Sequence, residues 1–144
     1  MTYVLDSNIL IYLAFSAAAE HASAKAVTDK IIKANEVIIL TEAVILSFFS
    51  ISTLLKPTPL TPGEARTFID ALLSYPKVQL FTPSVQHYRN FGARLENEKI
   101  RGNLIMDAHL GEVALLTNST IITNDDDFKK MSGVKFIKIK RLKQ

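Results

Sequence analysis

Short runs of β-branched and other apolar residues recur along the chain and predict five β-strands. Polar or turn-forming residues bound each run, as expected for strands of a compact domain. The five runs lie at residues 3–5, 37–40, 78–81, 120–123 and 134–139.

Segments with helical spacing of apolar residues lie between the predicted strands. Thr61, Pro62 and Glu64 form a helix start in which Thr61 caps the helix, Pro62 takes the first position and Glu64 closes a capping box. Further helices are predicted at about residues 84–98 and 106–116. The alternation of strands and helices predicts an α/β fold with a central parallel sheet of about five strands flanked by helices.

Length and composition indicate one soluble domain spanning residues 1–144. The chain has 144 residues, and 48% of them are hydrophobic, which is enough for a substantial core. It contains no cysteine, so disulfides, thiolate metal sites and cysteine nucleophiles are excluded. No signal peptide is recognisable, and no apolar stretch approaches the ~18 residues of a membrane span. We therefore expect a cytoplasmic protein.

The positive charge is concentrated at the C-terminus. The formal net charge is +3, and the last ten residues contain five basic residues and no acid. These are Lys135, Lys138, Lys140, Arg141 and Lys143. A basic tail at residues 135–144 is consistent with phosphate contacts, each of which would add a salt-dependent increment of affinity. A solvated chain terminus explains the same composition equally well.

Acidic residues follow two of the predicted strands. Asp6 ends the first strand, residues 125–127 are three aspartates directly after the fourth, and Asp107 stands near the start of an apolar helix. Ligand sites of parallel sheets form beyond the carboxyl ends of the strands. Clustered carboxylates oppose each other's ionisation, and a hard cation such as Mg²⁺ reverses that repulsion. Taken singly, each acid also fits an ordinary turn or helix start.

Three segments together resemble the PIN-domain family. In residues 4–11, a predicted strand is followed by an aspartate, any one residue and an asparagine, as in the opening PIN motif. Residues 101–110 resemble the segment that carries the central PIN aspartate. Residues 121–128 match the closing pattern of threonine, one residue, aspartate, one residue, aspartate and phenylalanine. Residues 59–65 also resemble one branch of the VapC-type toxins. Order and spacing agree over nearly the whole chain, so the chain is identified as similar to VapC-like toxin ribonucleases.

The resemblance implies roles for individual residues. Asp6, Asp107 and Asp125 would be catalytic and would bind the metal ion, Mg²⁺ or Mn²⁺. Asn8 and Thr123 would form hydrogen bonds to these acids or to the substrate. Asp127, by the same comparison, would either bind a second metal or cap the following helix, and we favour the helix cap.

The resemblance also implies a fold, a reaction and partners. The fold would be the PIN-like three-layer α/β fold. The reaction would be metal-dependent endonucleolytic hydrolysis of RNA phosphodiesters, with transfer or ribosomal RNA as the usual substrate class. A VapB-like antitoxin would thread its tail into the site and hold the nuclease in check, and the toxin would form a homodimer.

One position departs from the family pattern. PIN domains place a glutamate in the helix after the second strand, and the corresponding residue here is Ser47. Ser47 can hydrogen-bond a metal-bound water but adds no negative charge. Glu42 is nearby, but five residues along a helix turn its side chain ~140° away, so it would reach the metal only from a position in the connection before the helix. Loss of the acid predicts weaker metal binding, and the alternative function is therefore a catalytically weakened PIN domain that binds RNA or protein.

The remaining features have mainly structural interpretations. An apolar stripe is predicted to pack in the core, with part of it available as a groove for an antitoxin helix. Its residues are Phe48, Phe49, Ile51, Leu54 and Leu55. His21 and His87 lie in polar helical surroundings and receive no role.

Overall fold

The structure, a computed structural model, describes residues 1–139. The strands are β1 (Thr2–Leu5), β2 (Val37–Leu40), β3 (Val78–Leu80), β4 (Thr120–Thr123) and β5 (Lys135–Lys138). The helices are α1 (Ser7–Ala14), α2 (His21–Lys33), α3 (Glu42–Ser52), α4 (Pro62–Leu73), α5 (Val85–Asn97) and α6 (Leu104–Leu116), with a 3₁₀ helix at Asp127–Lys130. All five predicted strands are present, each within two residues of its predicted bounds.

The strands form one parallel sheet in the order β3-β2-β1-β4-β5. The six helices flank this sheet, and the predicted α/β fold is confirmed. β1 pairs with β4 so that Leu5 lies opposite Ile122. Because all strands run in the same direction, their carboxyl ends share one edge, and the segments after β1 and β4 meet there.

The last two residues of β1 and the two central residues of β4 are completely buried. Val4, Leu5, Ile121 and Ile122 have no solvent-exposed surface, as expected for strands covered on both faces of a parallel sheet. Phe128, in the 3₁₀ helix after β4, is equally buried. This packing anchors both ends of the acidic segment at residues 125–127.

Local sequence signals set several helix boundaries. The amide of Glu64 donates to Thr61 Oγ1 at 3.1 Å and the amide of Thr61 donates to Glu64 Oε1 at 2.9 Å, so the predicted capping box is confirmed. Ser84 caps α5 through a 3.1 Å hydrogen bond from the His87 amide. α6 begins at Leu104, two residues before the predicted start, and Asp107 stands in its first turn.

The interpretation of His87 as a residue in polar surroundings is wrong. His87 is 5% exposed, and its ring packs against Phe81, Phe91 and His109 with centroid separations of 5.1, 6.5 and 5.5 Å. Neither ring nitrogen has a hydrogen-bond partner among residues 1–139. Sequence neighbours of His87 are polar because they face solvent, whereas its own side of α5 faces α6.

The basic tail is only partly within the described residues. Lys135 and Lys138 belong to β5, and Lys138 Nζ lies 3.0 Å from Asp126 Oδ2. The predicted phosphate contacts of Lys140, Arg141 and Lys143 lie outside the described residues. Within residues 1–139, no helix combines the length and apolar character needed to cross a membrane.

Candidate active site

The sheet brings Asp6 and Asp125 to the same edge. Asp6 directly follows β1, and Asp125 comes two residues after the end of β4. The Asp6 amide continues the ladder between these strands by donating to the Ile122 carbonyl at 3.0 Å. The closeness of these two acids is therefore a direct consequence of β1 lying next to β4.

Hydrogen bonds from Ser7 and Thr123 hold the Asp6 carboxylate in one orientation. Ser7 N–H donates to Asp6 Oδ1 at 2.7 Å, which makes Asp6 the N-cap of α1, and Thr123 Oγ1 donates to Oδ2 at 2.7 Å. The Asp6 side chain is buried. Burial raises the pKa of Asp6 above its ordinary value, and the hydrogen bonds from Thr123 and Ser7 oppose that rise.

Thr123 connects Asp6 to Asp125. Its hydroxyl donates to Asp6 and accepts a 3.0 Å hydrogen bond from the Asp125 amide. Thr123 is completely buried at the end of β4. One hydroxyl thus fixes both the Asp6 carboxylate and the backbone from which the Asp125 side chain projects.

Three carboxylates converge next to Asp6. Asp107 from α6, Asp125 and Asp127 each offer an oxygen within 4.8 Å of the others. Asp127 N–H donates to Asp125 Oδ1 at 3.0 Å, so Asp125 orients the start of the 3₁₀ helix. Asp126, not Asp127, occupies the N-cap position of this 3₁₀ helix, and the Asp127 carboxylate lies beside Asp107. The structure therefore differs from the predicted capping role of Asp127.

The Asp107 carboxyl has a strongly raised pKa. Burial, together with the negative charges of Asp6, Asp125 and Asp127, raises the pKa of Asp107 to about 6. A carboxylate so perturbed by its neighbours is typical of sites that bind cations or perform acid–base chemistry. A bound divalent cation would remove this repulsion.

The donor set fits Mg²⁺ or Mn²⁺. Both ions prefer carboxylate and water oxygens, and the cluster offers carboxylates from one helix and one strand-end segment. The predicted ligands Asp107 and Asp125 lie in the cluster of mutually close oxygens, whereas Asp6 lies beside it and shares a cavity wall with Asp107. Asp127 completes the cluster.

Ser47 faces the same site. A cavity of about 90 Å³ is lined by Asp6, Ser7, Ser47, Met106 and Asp107, among others. The position at which the family carries a glutamate is therefore directed at the acids. Glu42 is the first residue of α3, is exposed and does not line this cavity. Glu42 is therefore not placed to supply the carboxylate that is missing at position 47.

The remaining residues near the acids differ in their involvement. Asn8 lies in the first turn of α1, and its Oδ1 atom is buried without a hydrogen-bond partner among residues 1–139. Asp126 turns away from the cluster and pairs with Lys138 and Lys129. Asn124 Nδ2 donates to the Tyr12 hydroxyl at 3.0 Å. This last contact ties the acidic segment to α1, and no sequence signal pointed to it.

Comparisons of the sequence with known proteins agree on one family. Residues 3–134 match the family described as PIN domain. The chain is 27% identical over 134 residues to Ribonuclease VapC43 of Mycobacterium tuberculosis (strain H37Rv), covering 92% of this chain and 91% of that protein. The match therefore extends over nearly the full length of both proteins.

Solved structures share the fold. The crystal structure of VapBC2 from Rickettsia felis bound to a promoter DNA fragment aligns with a TM-score of 0.72 at 21% identity, covering 97% of this chain and 100% of that chain. Mycobacterium tuberculosis VapC20, described as a sarcin-ricin loop cleaving toxin, aligns with a TM-score of 0.69 at 15% identity, covering 92% and 97%. At these identities, the alignments establish the common fold.

Proposed function

The chain belongs to the PIN-domain family, and on that basis we propose that it is a VapC-like, metal-dependent endoribonuclease of a toxin–antitoxin system. Its relatives are named ribonucleases, and their match covers more than nine-tenths of both chains. The proposed reaction is hydrolysis of an RNA phosphodiester. Water adds to phosphorus, one phosphorus–oxygen bond breaks, and the leaving ribose oxygen takes up a proton.

One observation carries this proposal: the convergence of carboxylates at the carboxyl edge of the sheet. Asp107, Asp125 and Asp127 approach within 4.8 Å, and Asp6 is held beside them by Thr123. Burial and this concentration of negative charge raise the pKa of Asp107 to about 6, so ionisation of all these acids is unfavourable without a cation. A cation would convert the same arrangement into a favourable one.

Each residue contributes a separate task. Asp107 and Asp125 would hold Mg²⁺ or Mn²⁺, with Asp6 and Asp127 completing the ring of negative charge around it. Bound there, the ion would activate water and stabilise charge on the phosphate. Thr123 and the Ser7 amide keep Asp6 oriented, and burial of this group limits its motion. Asn8 Oδ1 is buried and has no hydrogen-bond partner in the described part of the chain, which supports a role for this side chain towards the substrate or a bound water.

Ser47 motivates the second candidate function. It lines the cavity between Asp6 and Asp107 and brings no charge where the family carries a glutamate. With one acid fewer, cation affinity is expected to be lower, because affinity depends on the charge of the ligand set. In the extreme case the chain would be a PIN domain that binds RNA or protein without cleaving.

The proposed partner is a VapB-like antitoxin, and the proposed assembly is a homodimer. Solved relatives include toxin–antitoxin complexes, among them VapBC2 of Rickettsia felis. Of the predicted apolar stripe, Phe48 is core, whereas Ile51 and Leu54 are 43% and 75% exposed. These exposed side chains at the end of α3 support a surface for an antitoxin helix. Light scattering at micromolar concentration tests the dimer, and a monomeric mass would count against it.

The experiment compares RNA cleavage by the wild type, Asp107→Asn and Ser47→Glu, each with Mg²⁺, Mn²⁺ or EDTA. Transfer RNA and ribosomal RNA serve as substrates. Asp126→Asn is the matched control, because Asp126 adjoins the acidic cluster in sequence but turns away to Lys138. The nuclease proposal would be supported if the wild type and the control cleave RNA, if EDTA abolishes this cleavage, and if Asp107→Asn does not cleave.

The other outcomes separate the two candidate functions. Cleavage by Ser47→Glu alone would mean that the site is intact but silenced, and it would favour the binding module. If neither the wild type nor Ser47→Glu cleaves any RNA, and neither binds Mg²⁺ or Mn²⁺ by calorimetry, the nuclease proposal is overturned.

A further inference from the structure

A second cavity adjoins the acidic cluster on the side away from Ser47. It has a volume of about 210 Å³ and lies between the end of α5, the start of α6 and the 3₁₀ helix. Asp107 and Asp127 form part of its wall, so any group inside it lies against the carboxylates of the proposed metal site. Ser47 and Asp6, in contrast, line the separate, smaller cavity.

The interior of this second cavity is mainly apolar. Ile100, Leu104 and Met131 provide aliphatic and thioether surface. An apolar cavity of about 150 Å³ is enough for one benzene-sized ring. The present volume lies between that size and the ~300 Å³ at which pockets for drug-sized ligands begin. The cavity therefore suits a single flat group of one or two rings.

Charged groups at the rim suit a nucleotide. Arg94 pairs with both Glu112 and Glu98, so its guanidinium is held in place at the cavity wall. A fixed guanidinium plane is a stacking surface that RNA-binding proteins use for bases. Lys130 also lines the cavity, is exposed, and forms no ion pair within residues 1–139, whereas its neighbour Lys129 pairs with Asp126.

We propose that this cavity binds the base of a nucleotide next to the scissile phosphate, and that it thereby sets the base preference of cleavage. The inference rests on the proposed nuclease function, because the acids in the cavity wall belong to the proposed metal site at which that phosphate would be cleaved. A base and its own phosphate are separated by one ribose, and the cavity and the cluster share two residues. Lys130 is positioned at the rim to pair with a neighbouring phosphate.

The three methionines provide a direct test without metal or catalysis. Met131 lines the proposed base cavity, Met106 lines the Ser47 cavity, and Met1 is at the N-terminus. With ¹³C-methyl-methionine protein, adenosine, guanosine, cytidine and uridine are titrated separately, with ribose as the base-free control. We expect at least one nucleoside to shift the Met131 methyl signal saturably while the Met1 signal stays unchanged and ribose has no effect.

A matched pair of variants assigns the response to the cavity. Leu104 and Leu116 lie at opposite ends of α6 and are 53% and 57% exposed, but only Leu104 lines the cavity. Leu104→Trp is expected to weaken the response of Met131 by about tenfold or more, since small changes in an apolar pocket have effects of this size. Leu116→Trp is expected to leave the response unchanged.

Four outcomes decide the proposal. Saturable shifts of Met131 that Leu104→Trp weakens support it, whether or not the chain cleaves RNA. RNA cleavage by the wild type without any Met131 response to the four nucleosides would overturn the base cavity and leave the nuclease standing. Equal responses to ribose would also overturn it. A response to N-acetyl-leucinamide but to no nucleoside would assign the cavity to a peptide side chain instead.

Discussion

Thr123 and Asp6 are 117 residues apart in sequence, yet Thr123 Oγ1 donates a 2.7 Å hydrogen bond to Asp6 Oδ2. Both residues are buried at the carboxyl ends of adjacent strands. The same hydroxyl accepts the Asp125 amide at 3.0 Å. A single side chain therefore ties the acid after β1 to the acidic segment after β4.

Replacing Thr123 by valine keeps the shape of the side chain and removes both hydrogen bonds. We expect the free energy of unfolding to fall by about 2 kcal/mol, because Asp6 and the Asp125 amide lose a buried partner. We also expect weaker Mg²⁺ binding and slower RNA cleavage, because Asp6 is no longer oriented. Chemical denaturation and calorimetry measure these effects.

Thr120→Val is the control for Thr123→Val. Thr120 is also buried in β4, but its hydroxyl makes none of the hydrogen bonds at the acids. Equal losses of metal affinity in both variants would contradict the positioning role of Thr123.

Ser47→Glu places a carboxylate in the cavity shared by Asp6 and Asp107. Without a divalent cation, we expect a lower thermal midpoint, since a further negative charge is added to a repulsive cluster. With Mg²⁺, we expect on the order of tenfold tighter binding, because affinity follows the charge of the ligand set. Ser50→Glu, on an exposed position of α3, is expected to change neither quantity. A Ser47→Glu variant with unchanged Mg²⁺ affinity would contradict the role of this position.

The stability of the metal-free protein should depend on the ionisation of Asp107. Its pKa is raised from 3.8 to about 6, so the folded protein binds this proton more tightly than the unfolded chain does. Stability from this group is therefore present at pH below about 4 and is lost as the pH rises through 6. Because the side chain is partly exposed, solvent screening limits the effect to about 1 kcal/mol.

Asp107→Asn tests this pH dependence. In the metal-free protein, we expect the asparagine variant to lose less stability than the wild type between pH 4 and about 6, measured by urea denaturation. Asp126→Asn should retain the wild-type slope in this range, since Asp126 is exposed and paired with Lys138. A wild-type slope in Asp107→Asn would show that another group is responsible.

His87 offers a prediction on stability alone. Its ring is buried among Phe81, Phe91 and His109, and neither nitrogen has a partner within residues 1–139. His87→Phe should raise the free energy of unfolding by about 1 kcal/mol, since it removes two buried polar atoms without partners.

The matched variant for His87→Phe is His21→Phe. His21 Nδ1 lies 2.7 Å from the Tyr12 carbonyl oxygen, so its replacement removes a hydrogen bond and should be destabilising. Destabilisation of similar size by both variants would contradict the interpretation of His87.

The elements of this fold follow largely from local sequence. The runs at β1 and β4, the capping box at Thr61 and the cap at Ser84 depend on residues within a few positions of each other. The family pattern in addition pointed to Asp6, Asp107 and Asp125 as a group. Helix α1 was not recognised, because its apolar residues are consecutive and show little helical periodicity.

The sequence by itself determined the strands, the capped starts of α4 and α5 and the aspartates that follow strands, because these depend on short-range periodicity and local hydrogen bonding. Only the tertiary structure decided which side chains meet. The order of the sheet places β1 beside β4 and so joins Asp6 to Thr123, and the packing of α6 brings Asp107 to Asp127. The same packing directs Ser47 at the acids and forms the cavity of Leu104 and Met131. These contacts join segments far apart in the chain, and their geometry is set by how the layers pack rather than by neighbouring residues.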